Sequence, residues 1–389
     1  MARSARHALG RPPGRHRPMP MLPHTAGARI SRHQRREARK RGLFGLCCAL
    51  LLQHAAGAVS VTVGTTGTDD AWLLSNKTIV EGTTNCASAT HCYLSADALQ
   101  SVLASSNVSI TVTGAITIAA APSDGLALTS AAVTLTLAAG SSSSSLDHML
   151  ISAPLNLGAQ GTLYMTNQAS GGVTCVVGGN GVTFGGAPTC TDTGGAGGCL
   201  GPGLFCFLTA ELQRITAKSV YISNTATAAF MALNGLAATD TAGISDTFSL
   251  ATNVDGYTGA ANQQFIVKSA TSQASCSLRL SSNMGMTVEV QISTTAGDLL
   301  LDGDADGTSG GSIILTTPVS IGGAPQSMLD SGGKLTVGAN TGGISFAGAG
   351  HLKLKANGGV DITSDLVPTV NGLEIHIDAD ADAVGEGTL

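Results

Sequence analysis

Near its C-terminus the chain sets four short apolar–polar alternations almost end to end: GGKLTVGA (332–339), GISFAGAG (343–350), HLKLKANG (351–358) and GVDITS (359–364). They begin at intervals of eight to eleven residues, and Gly, Asn or Asp stands at nearly every break. Alternation is the period of a half-buried strand. The same pattern runs through NVSITVTGAITIAA (107–120), AAVTLTLAAG (131–140) and MTVEVQIST (286–294). Short strands closed by such turns fit a sandwich, a barrel or a solenoid.

Composition separates these folds. Aromatic residues make up 3% of the chain, charged residues 12%, and there are 51 glycines. A two-layer sandwich usually fills its core with more aromatics. In a solenoid, coils stack about 4.8 Å apart, so a narrow aliphatic column forms inside and small residues turn the corners. The predicted fold class is therefore all-β: a parallel β-helix (β-solenoid). A sandwich, a barrel or a trimeric fibre fits the composition less well. An apolar fraction of 43%, regularly patterned, argues against disorder.

The ends differ in charge. Residues 1–41 hold twelve Lys and Arg against Glu37 alone, which leaves eight bases and 24 acids from Val59 onward, a net charge of −16. An acidic body argues against nucleic-acid partners and attracts cations. After the bases come LFGLCCALLL (43–52) and a small-x-small ending, Ala56-Gly57-Ala58. This is the layout of a secretory signal, with cleavage expected near Ala58. Its apolar core is shorter than the roughly 20 residues needed to span a bilayer. An uncleaved signal anchor and an organelle transit peptide are the competing readings. The expected localisation is secreted, extracellular or cell-surface, with no integral membrane segment after cleavage. Two sequons follow, at Asn76 and Asn107, and are candidate glycosylation sites.

Seven cysteines lie beyond the signal. An oxidising compartment makes disulfides the default, with Cys86, Cys92, Cys175, Cys190, Cys199 and Cys206 as candidates. Cys86 and Cys92 enclose a short loop. The other four lie in a glycine-rich segment, about 171–206, that has little core of its own. No C-x-x-C occurs, which argues against zinc there. Cys276 is the odd thiol, either buried and inert or paired with another chain.

One helix is predicted, over YLSADALQSVLASS (93–106), capped by Ser95 and placed to cover the open end of the coils. Trp72 is assigned to the core of the same cap. The expected organisation is a leader and signal at 1–58, an N-terminal cap at 59–106, and a solenoid at 107–389 carrying the Cys/Gly-rich insertion.

CYLSADALQSVLASSNVSITVTGAITI (92–118) and GDLLLDGDADGTSGGSIIL (297–315) resemble repeats of bacterial filamentous-haemagglutinin-like and autotransporter-like adhesins. The resemblance covers about half of the mature chain. It implies a parallel β-helix that makes surface contacts. The asparagine-proline secretion motif and the terminal barrel of such adhesins are not found, so the likeness rests on the repeats.

The stretch D-x-D-x-D-G at 302–307 places Asp302, Asp304 and Asp306 as ligands one, three and five of a calcium loop. The twelfth position, where a bidentate Glu belongs, is Ile313, and the flanks read as strands. The helix-loop-helix form is thereby excluded. A looser calcium site between strands is kept beside a solvated Asp/Gly turn, and Asp378, Asp380 and Asp382 repeat the spacing. No other cofactor is expected.

No catalytic motif emerges. His91, His148, His351 and His376 stand in no metal or nucleophile pattern, and the glycine strings lack the Lys-Ser/Thr ending of a phosphate loop. The scarcity of Trp and Tyr removes the usual sugar-stacking platform. The leading expectation is a non-catalytic structural or adhesive protein whose partner is a surface polysaccharide, a protein or another copy. The alternatives are a β-helical polysaccharide lyase or glycoside hydrolase and, more weakly, a calcium-dependent matrix protein.

Overall fold

The computed structural model describes residues 59–382, apart from 81–85, 87–89, 123–131, 141–148, 169–172, 178–181, 185–186, 192–197, 201–203, 225–229, 253–264, 268–270, 308–309, 317–319, 323–325, 339–343, 347–349 and 370. The leader and signal expected at 1–58, and His148, lie outside the described residues.

The chain is mostly β, and its long sheets are parallel. A 12-stranded sheet runs through Thr78–Val80, Val108–Val112, Thr134–Ala139, Thr162–Asn167, Ile215–Asn224, Ile244–Thr252, Ser277–Ser282, Leu299–Asp302, Gln326–Ser331, His351–Ala356 and Glu374–Asp378, with Leu155–Asn156 pairing at one side. Eight-stranded, five-stranded and four-stranded parallel sheets accompany it. From Ser277 onward the chain visits three sheets in rotation: Ser277–Ser282, Gly285–Val288 and Ile292–Thr294, then Leu299–Asp302, Ser312–Leu315 and Ser320–Gly322. Two more circuits follow in the same order. Within the long sheet Leu278 pairs with Leu299, Leu299 with Ser327, Ser327 with Leu352 and Leu352 with Ile375, so the circuits are similar in length without being equal.

Registered stacking dictates the core. Leu280, Leu301, Leu329 and Leu354 occupy one register position and are fully buried. Met286, Ile313, Leu335 and Val360 do the same in the eight-stranded sheet. Each buried aliphatic side chain contributes about 1.5–3 kcal/mol of transfer free energy. Among the described residues Phe207, Phe248, Phe265 and Phe346 are the aromatics with fully buried side chains. A polar column also runs inside. Asn167 pairs with Asn224, Asn224 with Thr252 and Thr252 with Ser282, all buried, and the Thr252 hydroxyl donates to Ser282 Oγ at 3.2 Å. Like amides and hydroxyls on successive strands can hydrogen-bond along the stack, which satisfies groups that burial would otherwise leave costly. Close backbone approach fixes Gly285, whose φ of 100° and distance of 2.5 Å from a would-be Cβ to the Ser312 carbonyl oxygen exclude any side chain.

The N-terminal region differs from its expected form in two respects. Two helices occur there, Asp70–Asn76 and Ala96–Leu103, where one was predicted. Ser95 does cap the second, accepting from the Ala98 N–H at 3.1 Å. Residues 93–95, however, are extended, because His91–Ser95 pairs with Ser60–Gly64 and thereby buries Cys92 and Leu94. This strand is the edge of the four-stranded sheet. Its outward N–H groups are taken by carboxylates at the start of the first helix: Tyr93 N donates to Asp69 Oδ2 at 2.8 Å and Ser95 N to Asp70 Oδ1 at 2.7 Å. Covering an edge in this way removes a template for unwanted pairing. Trp72 packs against the core, and its indole N–H donates to the Thr78 carbonyl at 3.1 Å.

The Cys/Gly-rich segment joins the main sheets at both ends. Val173–Val177 lies between Leu204–Leu208 and Phe230–Asn234 in the eight-stranded sheet, so both ends of the segment belong to the main architecture. Between them lies an antiparallel trio, Val182–Phe184, Ala187–Thr191 and Gly198–Leu200.

Stacking makes a direct prediction. Leu301→Ala, enclosed above and below, is expected to lower unfolding free energy by about 3 kcal/mol in urea titrations. Ile377→Ala, at the next register position after Leu354 but 40% exposed, is expected to cost under about 1 kcal/mol.

Candidate functional site

Successive strands of the long sheet are parallel and in register, so outward side chains form rows with a spacing of about 4.8 Å. One row reads Thr136, Tyr164, Tyr221, Ser249, Arg279, Leu300, Met328, Lys353, His376. The next reads Thr166, Ser223, Ala251, Ser281, Asp302, Asp330, Lys355, Asp378. These two rows are neutral and partly aromatic in their first half and strongly charged in their second.

In the neutral half, Tyr164 and Tyr221 stack with ring centroids 4.8 Å apart and planes inclined by 11°. Tyr164 is exposed. Two of the four tyrosines are thus brought together, a pairing that the scarcity of aromatics gives no reason to expect. The signal lay in LYMTN (163–167) and VYISN (220–224), which are the same strand motif on neighbouring rungs.

In the charged half, Asp302 and Asp330 are register partners. Arg279 reaches Asp302 at 3.4 Å and Lys355 reaches Asp330 at 3.1 Å. Burial raises the Asp302 carboxyl above the usual range, and the Asp330 charge adds to this. The Asp304 N–H, donating at 3.3 Å, and the Arg279 guanidinium oppose the rise. The D-x-D-x-D-G stretch forms a turn with Gly307 at φ 70° and the Gly307 N–H donating to the Asp304 carbonyl at 2.9 Å. Asp302 belongs to the strand, whereas Asp304 and Asp306 belong to the turn. Among the described residues these three carboxylates do not converge as a ligand group, and neither do Asp378, Asp380 and Asp382.

A different group does converge. His351 Nδ1 lies 2.9 Å from Glu374 Oε2, and His376 Nε2 lies 2.9 Å from Glu374 Oε1. Sequence reading treated both histidines as isolated. They stand on successive strands of the long sheet, one full circuit of the chain apart, so only the register reveals them as neighbours. Two buried carboxylates serve structure. Glu211 is buried and accepts from the N–H groups of Ile151 and Leu208, both at 2.8 Å. Buried Asp240 accepts from Ala237 N and Gln213 Nε2, both at 2.7 Å. Two surface hollows are lined by one carboxylate each, Asp240 beside Gly235, Leu236, Thr271 and Gln273, and Asp69 beside Trp72 and Asn76. Both sequon asparagines are described: Asn76 ends the first helix and donates to the Trp72 carbonyl, and the Asn107 side-chain oxygen accepts from Thr134 N. Both are exposed.

Protein-family models give no match to this chain, and searches of curated proteins and of solved structures find none. The site must therefore be read from its own chemistry. Among the described residues no helix is long and apolar enough to cross a membrane.

The cysteines fall into three kinds. Cys86 and Cys92 form a disulfide pair with Cα atoms 5.0 Å apart. Register places Cys190 opposite Cys199 and Cys175 beside Cys206. Neighbouring strand positions have the Cα separation that a disulfide requires. Cys276 is buried, and burial pushes its thiol up to about 11. Non-reducing peptide mapping is expected to recover Cys86–Cys92, Cys190–Cys199 and Cys175–Cys206; a Cys175–Cys190 link would contradict the register. Cys276 is expected to resist alkylation of the native chain at mildly alkaline pH, where a thiol of that pKa carries little thiolate, and to react once guanidinium unfolds it.

Proposed function

We propose that the chain is a secreted or cell-surface β-solenoid of adhesin type, serving a structural or binding role without catalysis. The rotation of the chain through three parallel sheets supports the solenoid. The observation that carries the binding role is the outer face of the long sheet, with its registered rows of small polar groups and its stacked Tyr164–Tyr221 pair. A ladder with a rung about every 4.8 Å suits an extended ligand better than a small molecule. The tyrosine pair presents apolar ring edges tipped with hydroxyls, and the ring faces turned away from each other can pack against a sugar ring. A surface polysaccharide is therefore the favoured ligand, with a protein or a second copy as the other occupants. Binding to immobilised polysaccharides is expected to fall about tenfold in Tyr164→Ala/Tyr221→Ala, the equivalent of roughly 1.4 kcal/mol of lost stacking. Wild-type binding that survives the double substitution unchanged would move the ligand off this face.

One observation favours a second reading. Asp302 and Asp330 are adjacent carboxylates flanked by Arg279 and Lys355 on an open sheet face, a set able to hold calcium and abstract a proton from an acidic polysaccharide. A lyase would release unsaturated products in the presence of calcium, and Arg279→Ala or Asp330→Asn would abolish them. The existing ion pairs neutralise both carboxylates, which is why the non-catalytic reading ranks first. A calcium-dependent matrix role would show as a Tm that rises with calcium, with the acids of 302–306 as its first candidates.

A further inference from the structure

His351, Glu374 and His376 project from the outer face on two neighbouring strands, His351–Ala356 and Glu374–Asp378. His351 is the register partner of Glu374. His376 stands two residues along from Glu374 and so points to the same side. The carboxylate already bridges both rings, with each oxygen 2.9 Å from one imidazole nitrogen. One ligand atom from each residue lies within 4.8 Å of the other two. The three side chains are 56–58% exposed, so an ion can enter directly from solvent.

We propose that this trio binds a divalent transition-metal ion of the zinc class, independently of any calcium taken by the acidic turns. Two borderline imidazole nitrogens beside one harder carboxylate oxygen suit Zn²⁺, Ni²⁺ or Cu²⁺, whereas Ca²⁺ takes oxygen ligands alone. Zinc–nitrogen and zinc–oxygen bonds of about 2.0–2.2 Å put tetrahedral ligand atoms roughly 3.3 Å apart. Side-chain rotation on an exposed face closes the remaining gap without moving the strands. Three protein ligands leave at least one position for water or for a donor from a bound partner.

The surroundings set the affinity. Lys353 is the register partner of His376 and lies two residues along from His351, so it occupies the fourth corner of the same quadrilateral. Its charge opposes a cation. Asp378, two residues beyond His376, favours one, while Lys355 beside it is paired with Asp330. Sequence alone does not reveal the site, because its two strands come together only by registration of adjacent coils.

The test is a Zn²⁺ titration of the metal-stripped full chain by calorimetry, with the same titration of His351→Ala/His376→Ala as the background. Zinc held by histidines or cysteines elsewhere contributes equally to both proteins and cancels. The expected result is one additional equivalent in the wild type, weakened at least about tenfold in either single histidine variant, as is usual for loss of a metal ligand. Lys353→Gln is expected to tighten it, and excess Ca²⁺ not to compete. The side chains are exposed, so an unchanged circular-dichroism melt is expected to confirm folding of every variant. Identical titrations of wild type and double variant would overturn the proposal, as would zinc displaced by calcium. Should a variant not fold, Lys353→Gln in the otherwise intact site decides: unchanged zinc affinity places the ion elsewhere.

Discussion

Parallel registration is the constraint on which the rest of this molecule depends. Residues on the inner strands of the long sheet have counterparts about 4.8 Å above and below, so most positions must tolerate a neighbour of their own environment. Leucine on leucine satisfies this without effort, as Leu280, Leu301, Leu329 and Leu354 do. Asparagine, threonine and serine satisfy it by hydrogen-bonding along the stack, as the buried column from Asn167 to Ser282 does. Carboxylates satisfy it only with help. Asp302 above Asp330 is a like-charge contact, and Arg279 on one side with Lys355 on the other makes it tolerable.

The same constraint explains which features could be read from the chain and which could not. Strand content, the Ser95 cap and the Cys86–Cys92 pair are written in contiguous residues, where alternation, capping chemistry and loop size act locally. Rows across strands depend on the number of residues between paired strands, and that number is not constant: the stretch from Leu278 to Leu299 is shorter than the next, from Leu299 to Ser327. A repeat that drifts in this way hides its own register. Tyr164 and Tyr221 are separated further, because the segment with the antiparallel trio interrupts the progression between their strands. The first helix escaped prediction for a different reason. DAWLLSN is short and buries only Leu73, so its periodicity is too brief to register. Asp69 and Asp70 hold it through carboxylate contacts to His91–Ser95, a strand distant in sequence.

The two halves of the outer face meet different physical demands. The first half carries few charged residues, Lys218 and Asp246 among them, and displays hydroxyls and a ring stack, a surface that sheds water from its apolar parts while keeping polar groups at the rims. The second half concentrates cations and anions that largely neutralise one another along the rows. Lys334 and Asp361, at 3.1 Å, extend this pattern to the eight-stranded sheet. Such pairs on an open face contribute little stability one by one, since solvent screens them.

The strand Glu374–Asp378 closes the long sheet among the described residues, and its edge exposes Ile377. Edge strands generally carry charge to discourage pairing with other chains, and Glu374, His376 and Asp378 all fit that role. Edge protection explains why charged residues stand there but not how they are arranged. Any mixture of Lys and Glu would guard an edge. Two imidazoles that share one carboxylate, with one of them supplied by the neighbouring strand, form a chelating geometry that edge protection does not require. An ion held there would also tie the last two strands together, which adds cohesion at the point where the aliphatic stack loses its cover.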